Sequence, residues 1–309
     1  MDGTVTAHSF RTMDVPVAGG ALHVGVWDPV EAPTDFTPAV LVVHGVTSSH
    51  LAWPFVVDEL PGVRVIAPDL RGRGLSNAVS GPAGLRAHAA DLVAVLDALG
   101  ESSVLVIGHS MGAFVALVFA HRHPERVRSL VLVDGGLPLD VPDSVDADEL
   151  VAHILGPTAE RLSHRWASVE DYIEGFWRPH PAFTEDWSPE LERYIAYDLM
   201  SDGDALRPTT SYRVTVEDTL DMNLGTELPD ALTGLVHETL LLTVPRGLQN
   251  EPPGLYAPGY LEDLLRKHRS IRHVRLEQLN HYTVVMSHRG ARMVGPWLRQ
   301  ELDDSRAGQ

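Results

Sequence analysis

The chain has 309 residues, with 42 acidic side chains against 24 basic ones and a formal charge of −18 at pH 7. That length suits one large domain or two modest ones, and an apolar share of 44% with 21% charged residues excludes a wholly disordered chain. So negative a charge repels phosphate backbones and anionic bilayers, so neither nucleic acid nor membrane is expected as a partner, and the absence of cysteine excludes disulfides, thiolate nucleophiles and Cys-ligated metal.

Met1 to His8 carry neither the basic start nor the apolar run of a signal peptide, and no later stretch has the roughly 18 apolar residues of a membrane helix. A cytoplasmic location is the expectation. Ala39 to Val43 is continuously apolar and ends at a His-Gly turn, which predicts a buried strand. Val63 to Ala67 predicts a second, broken by Pro68. From Leu85 to Leu99 the apolar residues recur at helical spacing, and Gly100 supplies the stop. A third strand is read at Ser103 to Ile107, an apolar helix at Gly112 to His121, and a fourth strand at Val127 to Val133. Strands alternating with helices imply a parallel sheet covered on both faces.

The rhythm changes after residue 136. Residues 137 to about 235 show no clear strand and read as short helices divided by Pro and Gly. Thr239 to Val244 resumes the sheet, followed by a helix (Tyr260 to Arg269), a strand (Ile271 to Leu279) and a last helix to about Leu302. The division expected is a core domain of 1–136 and 236–309 and a helical lid of 137–235, too long for an ordinary loop. From Asp134 to Asp204 there are 17 acidic and four basic residues, so most of the charge lies in the lid and its approach. That balance disfavours anionic substrates.

Gly108-His109-Ser110-Met111-Gly112 matches Gly-x-Ser-x-Gly and falls between an apolar strand and an apolar helix, the context that the motif requires. A sharp turn there lifts the Ser110 hydroxyl above the sheet, and the helix N-terminus adds oriented N–H groups. Metal and dinucleotide chemistry have no such support. His121-x-His123 has no carboxylate at ligand spacing, and no Gly-x-Gly-x-x-Gly follows the first strands, so no metal and no cofactor is expected.

With Val43-His44-Gly45-Val46, Asp69-Leu70-Arg71-Gly72-Arg73-Gly74-Leu75-Ser76, this serine motif and Asn280-His281-Tyr282 in that order, the chain resembles the α/β-hydrolase superfamily, of the lid-bearing serine esterase and lactonase type. The resemblance implies an α/β fold with a mostly parallel central sheet flanked by helices, and a lid inserted after the strand ending near Asp134. It implies Ser110 as nucleophile and His281, after the last strand, as base. For the acid the resemblance favours Asp134, at the end of the strand before the lid, with Glu251, the only carboxylate in the loop after Thr239 to Val244, as the alternative. The backbone N–H groups of Val46 and Met111 are the expected oxyanion hole, and the Arg71 to Gly74 run is read as a structural turn. Nine of the 20 aromatic residues lie between Trp166 and Tyr212; most pack the lid, with Trp177 and Trp187 as candidates for the substrate pocket.

The expected reaction is cleavage of a carboxylic ester or lactone of a neutral, largely hydrophobic small molecule through an acyl-enzyme. A carbon–carbon bond hydrolase, thioesterase or amidase would use the same three side chains, and a non-catalytic binding protein could retain them. Haloalkane dehalogenases and epoxide hydrolases of this fold use an Asp nucleophile, against which Ser110 argues.

Overall fold

A computed structural model describes residues 7–31, 37–141 and 147–307. Ten strands are present among them: β1 (His8–Val17), β2 (Gly20–Pro29), β3 (Ala39–Val43), β4 (Arg64–Pro68), β5 (Val104–His109), β6 (Val127–Val133), β7 (Leu199–Asp202), β8 (Ala205–Pro208), β9 (Thr239–Thr243) and β10 (Ile271–Arg275). Eight of these form one sheet in the order β1-β2-β4-β3-β5-β6-β9-β10. β1, β2 and β4 pair antiparallel, and every pairing from β4 to β10 is parallel. The fold is the expected one, with an antiparallel hairpin added at one edge.

The alternation along β3 shows how the sequence builds the two faces. Ala39, Leu41 and Val43 point into one apolar cluster, while Val40 and Val42 point into the other. A strand buried on both faces reads as a continuous apolar run, because it is covered by helices on each side. Helices Leu85–Leu99 and Met111–Arg122 cover the first face, and His288–Ala307 the second. Met111–Arg122 is buried along its first ten residues, which explains why it is apolar all round. Gly100 ends Leu85–Leu99 in a left-handed conformation at φ 72°.

The segment between β6 and β9 departs from the expectation in two ways. β7 and β8 form a small antiparallel ribbon turning at Gly203 (φ 65°), where no strand is anticipated. Helices Tyr212–Leu224 and Glu227–Thr233 also pack into the core itself: Met222, Leu228, Ala231 and Leu232 join the first apolar cluster. The buried face of Tyr212–Leu224 carries Val214, Thr215, Asp218, Thr219 and Met222, a stripe at helical spacing that is more polar than a core face usually is. β10 ends at Arg275, short of Leu279, because the chain turns at Gln278 (φ 64°). None of the described helices is long and apolar enough to cross a membrane.

Strand order reverses beside β3: the chain passes outward to β4 and then returns past β3 to β5. Open α/β sheets hold ligands at the carboxyl ends of strands next to such a reversal. The loops leaving β3, β5 and β6 begin with His44, Ser110 and Asp134.

Candidate active site

Ser110 stands between β5 and helix Met111–Arg122 with φ 55° and ψ −127°. Side-chain-bearing residues avoid that region at a cost of about 1–3 kcal/mol. It is held there from two sides. The Ser110 N–H donates to the Val133 carbonyl at 3.0 Å, continuing the β5–β6 ladder beyond the strand end. Close backbone approach does the rest: a Cβ on Gly112 would overlap the Val43 carbonyl, and one on Gly135 the Ser110 carbonyl.

His281 is fixed by its neighbours. The Asn280 side-chain oxygen accepts the N–H groups of Tyr282 (3.1 Å) and Thr283 (2.9 Å), a local turn that sets the loop. The His281 N–H donates to the Arg246 carbonyl at 3.0 Å, and its own carbonyl accepts from His109 Nε2 at 2.8 Å. The ring then bridges two partners: Nδ1 donates to Asp134 Oδ2 at 2.6 Å, and Nε2 lies 2.9 Å from Ser110 Oγ. In that tautomer Nε2 presents its lone pair to the serine proton.

Asp134 is fully buried and has φ 44°. Its N–H donates to the Leu242 carbonyl at 2.7 Å, and Oδ1 accepts the Val244 N–H at 3.4 Å, which leaves Oδ2 for His281. Glu251, the alternative acid, is occupied elsewhere: its carboxylate accepts the Gln249 N–H at 2.7 Å within its own loop.

The loop after β3 is equally determined. The Gly45 carbonyl accepts the Ser48 N–H at 3.2 Å and His44 Nδ1 at 2.8 Å, while His44 Nε2 accepts the Leu70 N–H at 2.9 Å. Only the neutral imidazole satisfies both contacts. Burial pushes the His44 pKa down to about 4, against the raising effect of Asp69. Val46 follows in this turn, beside Ser110. Met111 is the first residue of its helix, so its N–H has no carbonyl one turn back to bond.

A cavity of about 30 Å³ opens on Ser110, lined by Gly45, Val46, Thr47, Ser48, His109, Tyr194, Leu248, His281, Tyr282 and Met286. By that measure it admits on the order of one or two water molecules, and it is partly open to solvent. Tyr194, from helix Pro189–Tyr197, donates its hydroxyl to Ser48 Oγ at 3.2 Å. Burial raises the pKa of both Tyr194 and Tyr282, so both present neutral phenols. A roomier polar hollow of about 300 Å³ lies beyond Asn280, between Arg246 and Arg289, and does not include Ser110.

Trp177 and Trp187, expected at the pocket, are not among the residues lining the cavity at Ser110. Trp177 is wedged among Tyr172, Phe176 and Phe183 and meets Tyr194 edge-on at 6.2 Å, one ring removed from the cavity. Trp187 donates its indole N–H to Glu192 and stacks under the Arg178 guanidinium at 3.8 Å, a helix-packing role. His109 takes a part that its sequence position does not announce. It lines the cavity, and burial, reinforced by His281, lowers its pKa well below the ordinary value.

Residues 38–158 match a family model described as the alpha/beta hydrolase fold. The chain is 37% identical over 137 residues to lipase LipV of Mycobacterium tuberculosis, covering 42% of this chain and 52% of that protein. It is 42% identical over 98 residues to epoxide hydrolase 2 of Siraitia grosvenorii, covering 30% and 31%. The match thus spans about half the length of the first relative and about a third of the second. Among solved structures, a thermophilic esterase from Thermogutta terrifontis superposes with a TM-score of 0.62 at 24% identity, over 95% of this chain and 99% of that one.

Proposed function

We propose that this chain, a protein of the α/β-hydrolase fold, is a serine hydrolase that cleaves a carboxylic ester or lactone of a neutral, largely hydrophobic small molecule. The observation that carries the reading is the unbroken hydrogen-bonded chain from Ser110 Oγ through His281 to Asp134. A serine hydroxyl becomes a nucleophile when a base takes its proton, and a buried carboxylate stabilises the imidazolium that results. Ser110 Oγ attacks the carbonyl carbon while its proton passes to His281 Nε2. The oxyanion forms against the N–H groups of Val46 and Met111. His281 returns the proton to the leaving alcohol, which in a lactone stays tethered to the acyl group. Water, deprotonated by His281, then cleaves the acyl-enzyme.

The cavity supports a finer statement: Val46, Leu248 and Met286 offer apolar contact to the group next to the carbonyl. The serine at position 110 favours acyl chemistry over epoxide opening, in which an Asp nucleophile of this fold forms an ester with the substrate.

The test is Ser110→Ala assayed with p-nitrophenyl acetate and with a fluorophosphonate label. Turnover is expected to fall by at least about 10³-fold and labelling to vanish. Labelling that survives would overturn the assignment. In the parent, the same panel extended to thioesters, amides and β-diketones distinguishes an ester hydrolase from a thioesterase, an amidase or a carbon–carbon bond hydrolase. Tight binding of an ester without turnover would mark a binding protein.

A further inference from the structure

The turn after β4 holds a side chain that the mechanism does not use. Arg73 has no exposed surface. Its Nε donates to the Val46 carbonyl at 2.8 Å, its Nη1 to the Arg71 carbonyl at 3.0 Å, and its Nη2 to Met111 Sδ at 3.6 Å. Nη1 also pairs with Asp218 at 2.5 Å, and that carboxylate has no exposed surface either. One guanidinium therefore touches both residues whose N–H groups would face the oxyanion.

The other end of the pair is firmly set. Asp218 comes from helix Tyr212–Leu224, and its Oδ1 accepts from His88 Nε2 at 3.0 Å and from the Gly84 N–H at 2.7 Å. Gly84 begins helix Leu85–Leu99 and has no side chain to cap it. Glu217 and Asp221 from the same helix accept the neighbouring N–H groups of Ala83 and Leu85. Burial works against the Asp218 charge, but His88 and Arg73 overcome it and hold the carboxyl ionised.

A buried ion pair is weak evidence for stability, because desolvation offsets most of its attraction. Its geometric effect is not cancelled in that way. The Val46 residue lies between two peptide groups. The first is fixed at the Gly45 carbonyl by His44 and Ser48, and the second at the Val46 carbonyl by Arg73. The Gly45 carbonyl and the Val46 N–H share one planar peptide, so His44 and Ser48 aim that N–H, and Arg73, holding the next peptide, restrains rotation at the Val46 Cα that would carry the turn away from Ser110. A planar fork with five donors can reach Val46, Arg71, Met111 and Asp218 together, and an ammonium cannot.

We infer that Arg73 is a positioning residue for acyl transfer: braced by Asp218, it holds the Val46 turn and the Met111 side chain so that both backbone donors face the oxyanion. The inference rests on the serine-hydrolase reading. It predicts a defect confined to the transition state, since an oxyanion hole acts where the charge develops and not on the bound ester.

The experiment compares Arg73→Lys and the neutralised double variant Arg73→Gln with Asp218→Asn against the parent. Each is measured for kcat and KM on p-nitrophenyl acetate, for affinity toward an alkylboronic acid that forms a tetrahedral adduct with Ser110, and for cooperative thermal melting. The double variant leaves no buried charge unpaired, so it folds where a single neutral substitution could fail. In both variants kcat is expected to fall about 10-fold to 100-fold with boronate affinity falling in parallel, while KM stays within about twofold. Loss appearing in KM, or kcat within about threefold of the parent, would overturn the inference. Recovery of kcat by Arg73→Lys would overturn it as well, because charge alone would then suffice. Parent turnover and the Ser110→Ala control report separately on the hydrolase reading.

Discussion

Replacing Asp134 by Asn removes one charge from the buried end of the site and almost no volume. Asp134 Oδ2 receives the His281 Nδ1 proton at 2.6 Å while Oδ1 receives the Val244 N–H at 3.4 Å. An Asn that keeps its oxygen toward Val244 turns its amide N–H groups toward Nδ1. The imidazole must then accept at Nδ1 and carry its proton on Nε2, facing Ser110, which can no longer give its own proton away. An Asn turned the other way keeps the useful tautomer, sets its NH2 against the Val244 N–H, and still lacks the charge that stabilises the imidazolium. Both arrangements cost kcat, by about 10³-fold to 10⁴-fold, which is about 4–5 kcal/mol of transition-state stabilisation. Glu251→Gln alters the contact to Gln249 and the charge near His180 and Tyr282, none of which touches the proton path, and is expected to leave kcat within about twofold. The assay is steady-state hydrolysis of p-nitrophenyl acetate, with thermal melting to confirm that each variant is folded. An Asp134→Asn enzyme within tenfold of the parent, or an equal loss in Glu251→Gln, would refute the reasoning.

Two further outcomes follow from the same geometry. His44 ordinarily titrates at 6.5 and is held near 4 in the fold, so below pH 6.5 the unfolded chain binds a proton that the folded one does not. Its contribution is fully present above 6.5 and is lost progressively as the pH falls to about 4, a total of about 3 kcal/mol and about 2 kcal/mol at pH 5. Urea melts of the parent and His44→Asn at pH 7.5 and 5 measure it; equal slopes with pH would contradict it. Leu248 lines the cavity while remaining 40% exposed, so it stands at the mouth. Leu248→Ala should raise kcat/KM for butyrate and longer p-nitrophenyl esters relative to acetate, and an unchanged ratio would count against a size limit at that side.

Much of the sheet is legible because buried parallel strands are continuous apolar runs: β3, β6 and β9 fall within a residue of their expected bounds. The edge hairpin is not, since β1 exposes most of its residues and shows no run to read. The β7–β8 ribbon is also invisible to periodicity, being only four residues a side; Gly203-Asp204 is the turn signal that could have found it. Ser110 and His281 are legible from motif and chain order. For the partner of His281 the sequence favours Asp134 but keeps Glu251 open, because β6 and β9 are neighbours and both of their following loops approach the same histidine. What separates Asp134 from Glu251 is backbone conformation at the strand end, which no spacing encodes. Trp177 and Trp187 mislead for the opposite reason: large rings near a site are needed to pack its supports, and size does not say which layer they fill. Asp218 hides in the polar stripe of an otherwise ordinary helix. Its meaning appears only once Arg73 lies against it.

Of the residues that the reaction would use, Ser110 and Asp134 both have positive φ, in company with Asn250 and Gln278 alone among the described residues other than glycine. Glycine would occupy either position without the roughly 1–3 kcal/mol that a side chain costs there. Only at Ser110 do thermal robustness and chemistry pull in opposite directions, because glycine at Asp134 would leave the buried His281 Nδ1 and the Val244 N–H without a partner. A mutant library screened only for survival on heating would accept glycine at Ser110, giving up hydrolysis there, and reject it at Asp134.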